Sequence, residues 1–227
     1  LSRRRHCGFL MSEQKTSRLP RTQVRRKPSR QVSEHEQALE VLRSGRVAHV
    51  GVADEHGMPR VIPVAYGLED DTAMLLHGST ASQLFRALAA GAAVCATVTM
   101  VDGLVVASSS FNSSMNYRSV MVFGRCLVVD ESEKLAVLDS LTEHLFPGRN
   151  SENRELTEQE LKATMILRLP LNEISMKRRA EGVNEDDVDK HPQRWTGVVP
   201  IQQVFGAPVA EAHVTVEPPA YMADWRP

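Results

Sequence analysis

The hydrophobic pattern of the chain changes period several times, and each change marks an element. Ser33 followed by Glu36 has capping-box spacing, and Ala38, Leu39, Val41 and Leu42 then give one apolar face up to Gly45, which predicts a short opening helix. From Arg46 the period shortens: RVAHVGVAD, a turn at EHGMP, RVIPVAYGLE and AMLLHG read as three meander strands rich in β-branched residues, the turn at 55–59 being a hairpin candidate. Residues 79–90 return to a helical period, with Leu84, Phe85 and Leu88 on one side and Gly91 as the stop. AVCATVTMV (93–101) and GLVVA (103–107) are apolar enough for buried strands, and 115–130 alternates as one long strand. Helices are predicted over 131–145, closed by Pro147 and Gly148, and over 157–162, after which strand patterns return at 164–169 and 173–178. The acidic stretch 180–194 reads as a surface loop, WTGVVPI resumes structure, and the proline-bearing tail from Glu217 is expected to be loose.

Strands with short helices at fixed places and no βαβ rhythm predict a mainly β fold, an antiparallel barrel with helical covers. At 227 residues and 42% hydrophobic, the chain suits one core. The expected organisation is a basic arm over 1–31, a domain over 32–210 and a tail over 211–227.

Charge is unevenly placed. Residues 1–31 carry ten Lys and Arg against one acid, Glu13, leaving 17 bases against 27 acids on the remainder. With no aromatic beyond Phe9 and no helical period, the arm reads as solvated rather than as a nucleic-acid binder. Met11 opens MSEQK, a plausible native start, so residues 1–10 carry no fold argument. Cys7, Cys95 and Cys126 form no CxxC pair, the apolar runs fall short of the ~20 residues of a membrane span, and no signal-peptide core is visible, so a cytoplasmic setting is expected.

Signatures of P-loop, dinucleotide-fingerprint, zincin and nucleophile-elbow chemistry are absent, and the eight histidines show no metal-ligand spacing. What remains is an ordered string of segments: RVIPVAY, LHGSTASQLFRAL, AVCATVTMVDGLVVA, FNSSMNYRSVMVFG and WTGVVP. Over roughly residues 32–205 this string resembles the pyridoxamine 5'-phosphate oxidase-like flavoproteins of the nitroimidazole-resistance branch. The stretch SMNYRSVMVFG is its most specific part.

The resemblance implies a six-stranded split barrel, a homodimer with FMN in a cleft between subunits. The strand Arg60, Val61, Ile62, Pro63 and Val64 would run beside the isoalloxazine ring and offer backbone groups to its polar edge. His77, Gly78, Ser79, Ser82 and Gln83 would meet the phosphate, where free N–H groups and small hydroxyls suit an anion; N-capping is the simpler role for those serines. Ser82-Gln83-Leu84 stands where related oxidases place Ser-Arg-Lys, so two charges are missing, with Arg86 or Arg118 as candidate replacements. Arg118 and Ser119 align with a flavin-reaching pair, and Trp195 with a tryptophan that closes over the cofactor. His77 is the catalytic candidate, a proton donor beside the cofactor, against the plainer role of bonding a nearby carbonyl. SSSFNS (108–113) replaces the basic residue and histidines common in that branch, which implies a different or absent substrate pocket.

The implied function is an FMN-dependent oxidoreductase passing electrons from NAD(P)H to a small acceptor such as a nitroaromatic compound. A non-catalytic flavin-binding or sensor protein is the alternative from another class, and pyridoxamine-phosphate oxidation a third. Heme or deazaflavin in the same cleft also stays open.

Overall fold

The computed structural model describes residues 20–225. Its ten strands form one antiparallel sheet that curls into a barrel without closing. The strands are β1 (Gln31–Val32), β2 (Val47–Ala53), β3 (Pro59–Glu69), β4 (Ala73–Ser79), β5 (Ala93–Val106), β6 (Ser114–Arg125), β7 (Leu127–Val128), β8 (Thr164–Pro170), β9 (Glu173–Arg179) and β10 (Gly197–Pro200), hydrogen-bonded in the order β1-β9-β6-β5-β2-β3-β4-β8-β7 with β10 on β5. The helices are α1 (His35–Ser44), α2 (Gln83–Ala89), α3 (Lys134–Leu145) and α4 (Glu158–Ala163). This is the split barrel expected from the sequence.

Alternation along the strands sets the two faces. Ala48, Val50 and Val52 of β2, Val94, Ala96 and Val98 of β5, and Val120 and Val122 of β6 point inward, where they meet Leu39, Val41 and Leu42 of α1 and Leu84, Phe85 and Leu88 of α2. Strand β4 is apolar on both faces because its second face is covered as well: Leu75 joins Ile166 of β8 beneath Val137 and Leu141 of α3. An uninterrupted run such as AMLLHG is the mark of that double burial.

Several local expectations are refined. The opening helix starts one residue later than a Ser33 cap requires, with Glu34 at the N-cap and no side-chain capping bond. The full capping box occurs at α4, where Thr157 accepts from Glu160 N and Glu160 reaches back to Thr157 N. The two strands expected at 93–101 and 103–107 are one, interrupted by a bulge at Asp102. Of the basic arm, residues 1–19 lie outside the described residues. From Pro20 the chain runs along the sheet: Arg21 forks onto Glu173 at 2.6 Å and stands over the Phe123 ring, and β1 pairs with β9. The tail likewise ends against the body, with Trp225 Nε1 donating to Pro147 O at 2.9 Å.

Tyr66 ties these layers together. Its hydroxyl, fully buried, donates to Leu42 O at 2.5 Å at the end of α1, and its ring lies 5.2 Å from that of His144 in α3. One residue on, α3 approaches so closely that a Cβ on Gly67 would stand 2.7 Å from Leu141 Cα. Tyr66→Phe leaves a buried carbonyl unmet and is expected to cost about 1–3 kcal/mol in urea unfolding. Gly67→Ala pushes on backbone and is expected to cost a similar ~1–3 kcal/mol.

Candidate functional site

Strand β3 is shared unevenly between its neighbours. Residues 59–65 pair with β2, and only 66–69 pair with β4, which instead follows β8 along its whole length through His77↔Ile166, Gly78↔Met165 and Ser79↔Thr164. The two strands diverge beyond the Tyr66–Leu76 pair, so the stretch 59–65 has no ladder partner on its β4 side. Pro59 and Pro63 fall in this stretch, as prolines do where a strand has a free edge. Unpaired edge N–H and C=O groups need a partner, and a polar ligand in the gap supplies one.

A cavity of about 920 Å³ opens beside this edge, lined by Arg60 and Ile62 of β3, Ser82 and Gln83 at the start of α2, and the 54–56 turn. Arg60 Nη1 donates to Gln83 Oε1 at 3.1 Å, and its Nη2 lies 3.8 Å from an Asp54 carboxylate oxygen. Asp54 is itself fixed by accepting from His56 N and Met58 N at 2.9 Å. Ser82 is the N-cap of α2 but its side chain makes no capping bond, whereas Ser79 Oγ accepts from Ala81 N at 3.1 Å. On β4, one residue past its last pair with β3, His77 is half-buried, its Nδ1 is shut away from solvent without a partner among the described residues, and burial holds its pKa below the usual histidine value. Gly78 has a packing reason of its own, since the Phe85 ring occupies the place where a Cβ would stand.

The remaining residues singled out by sequence divide by strand face. Val61 is 64% exposed on the other side of β3, Pro63 is exposed, and Val64 packs against the core. Arg118 and Ser119 lie on β6, paired with Met100 and Thr99 in the middle of β5. The bulge sends out the Asp102 carboxylate, which accepts from Arg118 Nε at 3.0 Å and Nη2 at 2.7 Å, while Ser119 Oγ and Thr99 Oγ1 stand 2.9 Å apart. Arg118 lines a separate cavity of about 540 Å³ and so does not replace the missing phosphate charges within one chain; Arg86 is exposed on α2. Trp195, 66% exposed, leads into β10 and lies against Gly197. One chain therefore brings together Arg60, Ile62, Ser82 and Gln83 around one cavity, and leaves His77 on β4 opposite Ile166 and Arg118, Ser119 and Trp195 elsewhere. Sequence reasoning passed over Asp54, which restrains Arg60, and Asp102, whose DG dipeptide inside an apolar run was the available signal.

The barrel and its open-edged gap define a split-barrel binding protein. A model of the pyridoxamine 5'-phosphate oxidase family matches residues 34–178, and the chain belongs to that family. Among solved structures, the FAD- and heme-binding protein from Mycobacterium smegmatis is 36% identical over 86% of this chain and 96% of that one, with a TM-score of 0.81. The flavocytochrome Anf3 from Azotobacter vinelandii is 32% identical over 91% and 96%, with a TM-score of 0.84. A candidate 5-nitroimidazole antibiotic resistance protein from Bacteroides thetaiotaomicron, 20% identical over 65% and 85% with a TM-score of 0.55, shares the fold. A search of curated protein sequences finds no match.

Burial also lowers the pKa of His144 from the ordinary 6.5, as it does for His77. Below that value the unfolded chain binds protons that the folded chain refuses, so stability is complete above it and declines as pH falls through it. Carboxylates with lowered values, Asp71, Glu160, Glu173 and Asp187, act only below their ordinary 3.8 or 4.5, which leaves the interval from there up to 6.5 to the histidines. Thermal unfolding across that interval is expected to show a falling Tm, and a flatter profile in His144→Asn.

Proposed function

We propose that this protein is a flavin-binding redox protein whose cofactor lies in the gap between β3 and β4, in a cleft completed by a second copy of the chain. The observation that carries the reading is the free edge of residues 59–65, left bare where β4 departs with His77 as its first residue beyond the pairing. An isoalloxazine ring has a row of donors and acceptors along one side, which suits an unpaired strand edge, and His77 Nδ1 is a buried polar atom without a partner. The residues present fit the group. When bound, the flavin supplies exchange of a hydride or of single electrons. Strand 60–64 would orient its polar side, and Arg60, steadied by Gln83 and Asp54, would hold the phosphate portion. His77, kept neutral by burial, would accept or return a proton at the reacting face.

FAD suits the site better than the FMN implied by the sequence resemblance. A terminal phosphate dianion calls for several cations, and Arg60 shares its surroundings with Asp54, while Gln83 and Leu84 bring no charge. The cavity continues past Leu84 and Ala87 to the 90–92 turn, leaving room for a second nucleotide half. The relatives above 30% identity carry FAD, flavocytochrome and heme in their names, which supports heme as a second cofactor here, whereas the nitroimidazole relative is related in fold alone. A nitroaromatic acceptor draws no support from the loop at 108–113, where Ser108 is bonded through both N and Oγ to Glu185.

The second copy is supported by what one chain leaves bare. Val61, Ile62, Val101, Leu104, Met115 and Trp195 are all exposed. A two-fold partner would bring its Arg118, Ser119 and Trp195 toward the gap of the first, uniting residues that one chain keeps apart.

Cofactor released from the purified full chain is expected to run as FAD on chromatography, and anaerobic NADPH or NADH is expected to bleach its band. Arg60→Gln is expected to weaken flavin binding by roughly 10- to 100-fold, the loss of a charged hydrogen bond. His77→Gln is expected to retain flavin and slow its reduction by about 100-fold. FAD that resists bleaching would mark a carrier or sensor, and a chain that takes up no flavin would overturn the reading.

A further inference from the structure

We infer that the cavity between the start of β2 and the middle of β5 is a heme site in which His49 ligates the iron. This rests on the heme half of the proposed function and assigns it a place and a ligand. Beyond the His49–Thr97 pair, β2 and β5 stop pairing. A cavity of about 300 Å³ opens at that point, with His49 in its wall among Val47, Met100, Val204 and Phe205. It shares Ser44, Thr99, Met100 and Gln203 with the neighbouring cavity of about 540 Å³. Together they fall in the size range of small-molecule sites, roughly 300–1,000 Å³.

The walls join apolar side chains that suit a macrocycle, such as Val47, Met100, Val204 and Phe205, to Arg46, Gln203 and the Asp102–Arg118 ion pair, polar groups that suit its carboxylates. An iron held here would draw one ligand, His49, from the protein and its remaining ring ligands from a tetrapyrrole. His49 is suited to that role. Its backbone is fixed on both sides, opposite Pro63 and Thr97, and its exposed imidazole has no hydrogen bond or ion pair among the described residues.

Of the other described histidines, His35 and His213 line neither cavity, and four more are engaged or differently placed. His144 Nε2 is bonded to Gly45 O at 2.9 Å, and His191 Nδ1 accepts from Gln193 N at 3.2 Å. His56 sits in an exposed turn beside Glu55, and His77 is half-buried on β4 opposite Ile166. The segment carrying Gln203, Val204 and Phe205 roofs the cavity and is held at its ends by Ile201 N donating to Asp102 O at 3.1 Å and by the Phe205 ring against Trp225. His49 is one strand from Pro63, about 5 Å away across the ladder, which places the two cofactor sites side by side.

The test is hemin titration of the full chain, followed by the Soret and visible bands and by electron paramagnetic resonance, with flavin content read separately. The wild type is expected to take up one hemin per chain with the spectrum of histidine ligation. His49→Ala is expected to weaken hemin by on the order of 100-fold, to recover the wild-type spectrum on addition of free imidazole, and to keep its flavin. His77→Ala is expected to leave the hemin spectrum unchanged. A wild-type spectrum in His49→Ala, or its loss in His77→Ala, would overturn the assignment while leaving heme binding intact. A wild type that holds flavin but takes up no hemin would overturn the heme reading itself.

Discussion

A strand can satisfy its backbone on both edges only while both neighbours stay beside it, and in this barrel β3 loses one of them halfway. Up to Ala65 it is bonded to β2, and from Tyr66 onward β4 is its second partner. The geometry of the candidate site follows from this. The split leaves a row of polar backbone groups exposed, sets α2 across one end of them, and places His77 on the departing strand. Closing the barrel would satisfy the edge and abolish the site.

The split is held open by packing. Tyr66 is pinned by its hydroxyl on Leu42 O and by its ring on His144, at the residue where β4 comes alongside. Gly67 admits α3 against the other face, and Phe85 of α2 fills the space beside Gly78 on the departing strand. Strand β4 is thereby committed to β8 and to the layer under α3, and it cannot swing back to cover residues 59–65 without exposing Leu75 and Ile166. Energy spent in the core is what keeps a polar edge available.

Much of this was legible in the sequence because it depends on local period. Strands β2, β3 and β4 and helices α2 and α3 follow from local period and from stops such as Gly91, whose φ of +86° suits glycine, whereas β5 reads as two strands and β6 as running on to residue 130, past its end at Arg125. The cap of α1 was misread because Ser33-x-x-Glu36 satisfies a spacing rule while the backbone starts its first turn after Glu34. The site was only partly legible. Arg60, Ser82 and Gln83 lie together because α2 folds back over the 54–60 hairpin, a long-range contact that no periodicity reports. Arg118 was a plausible phosphate partner in sequence, but the bulge at Asp102 sits opposite it and claims its guanidinium. Pro59 and Pro63 were the signal for the free edge, since proline in an otherwise β-branched strand marks one.

The central claim is that the unpaired edge of β3 is where the flavin binds, and amide hydrogen exchange with and without FAD tests it most directly. The account predicts that the amides of Val61 and Ala65, which point to the unpaired side of β3, exchange readily in the flavin-free chain and gain protection when FAD binds, while those of Arg60, Ile62 and Val64, which face β2, and those of β8 and β9 stay unchanged. Flavin binding that leaves the Val61 and Ala65 amides as exposed as before, with protection appearing elsewhere on the barrel, would contradict it.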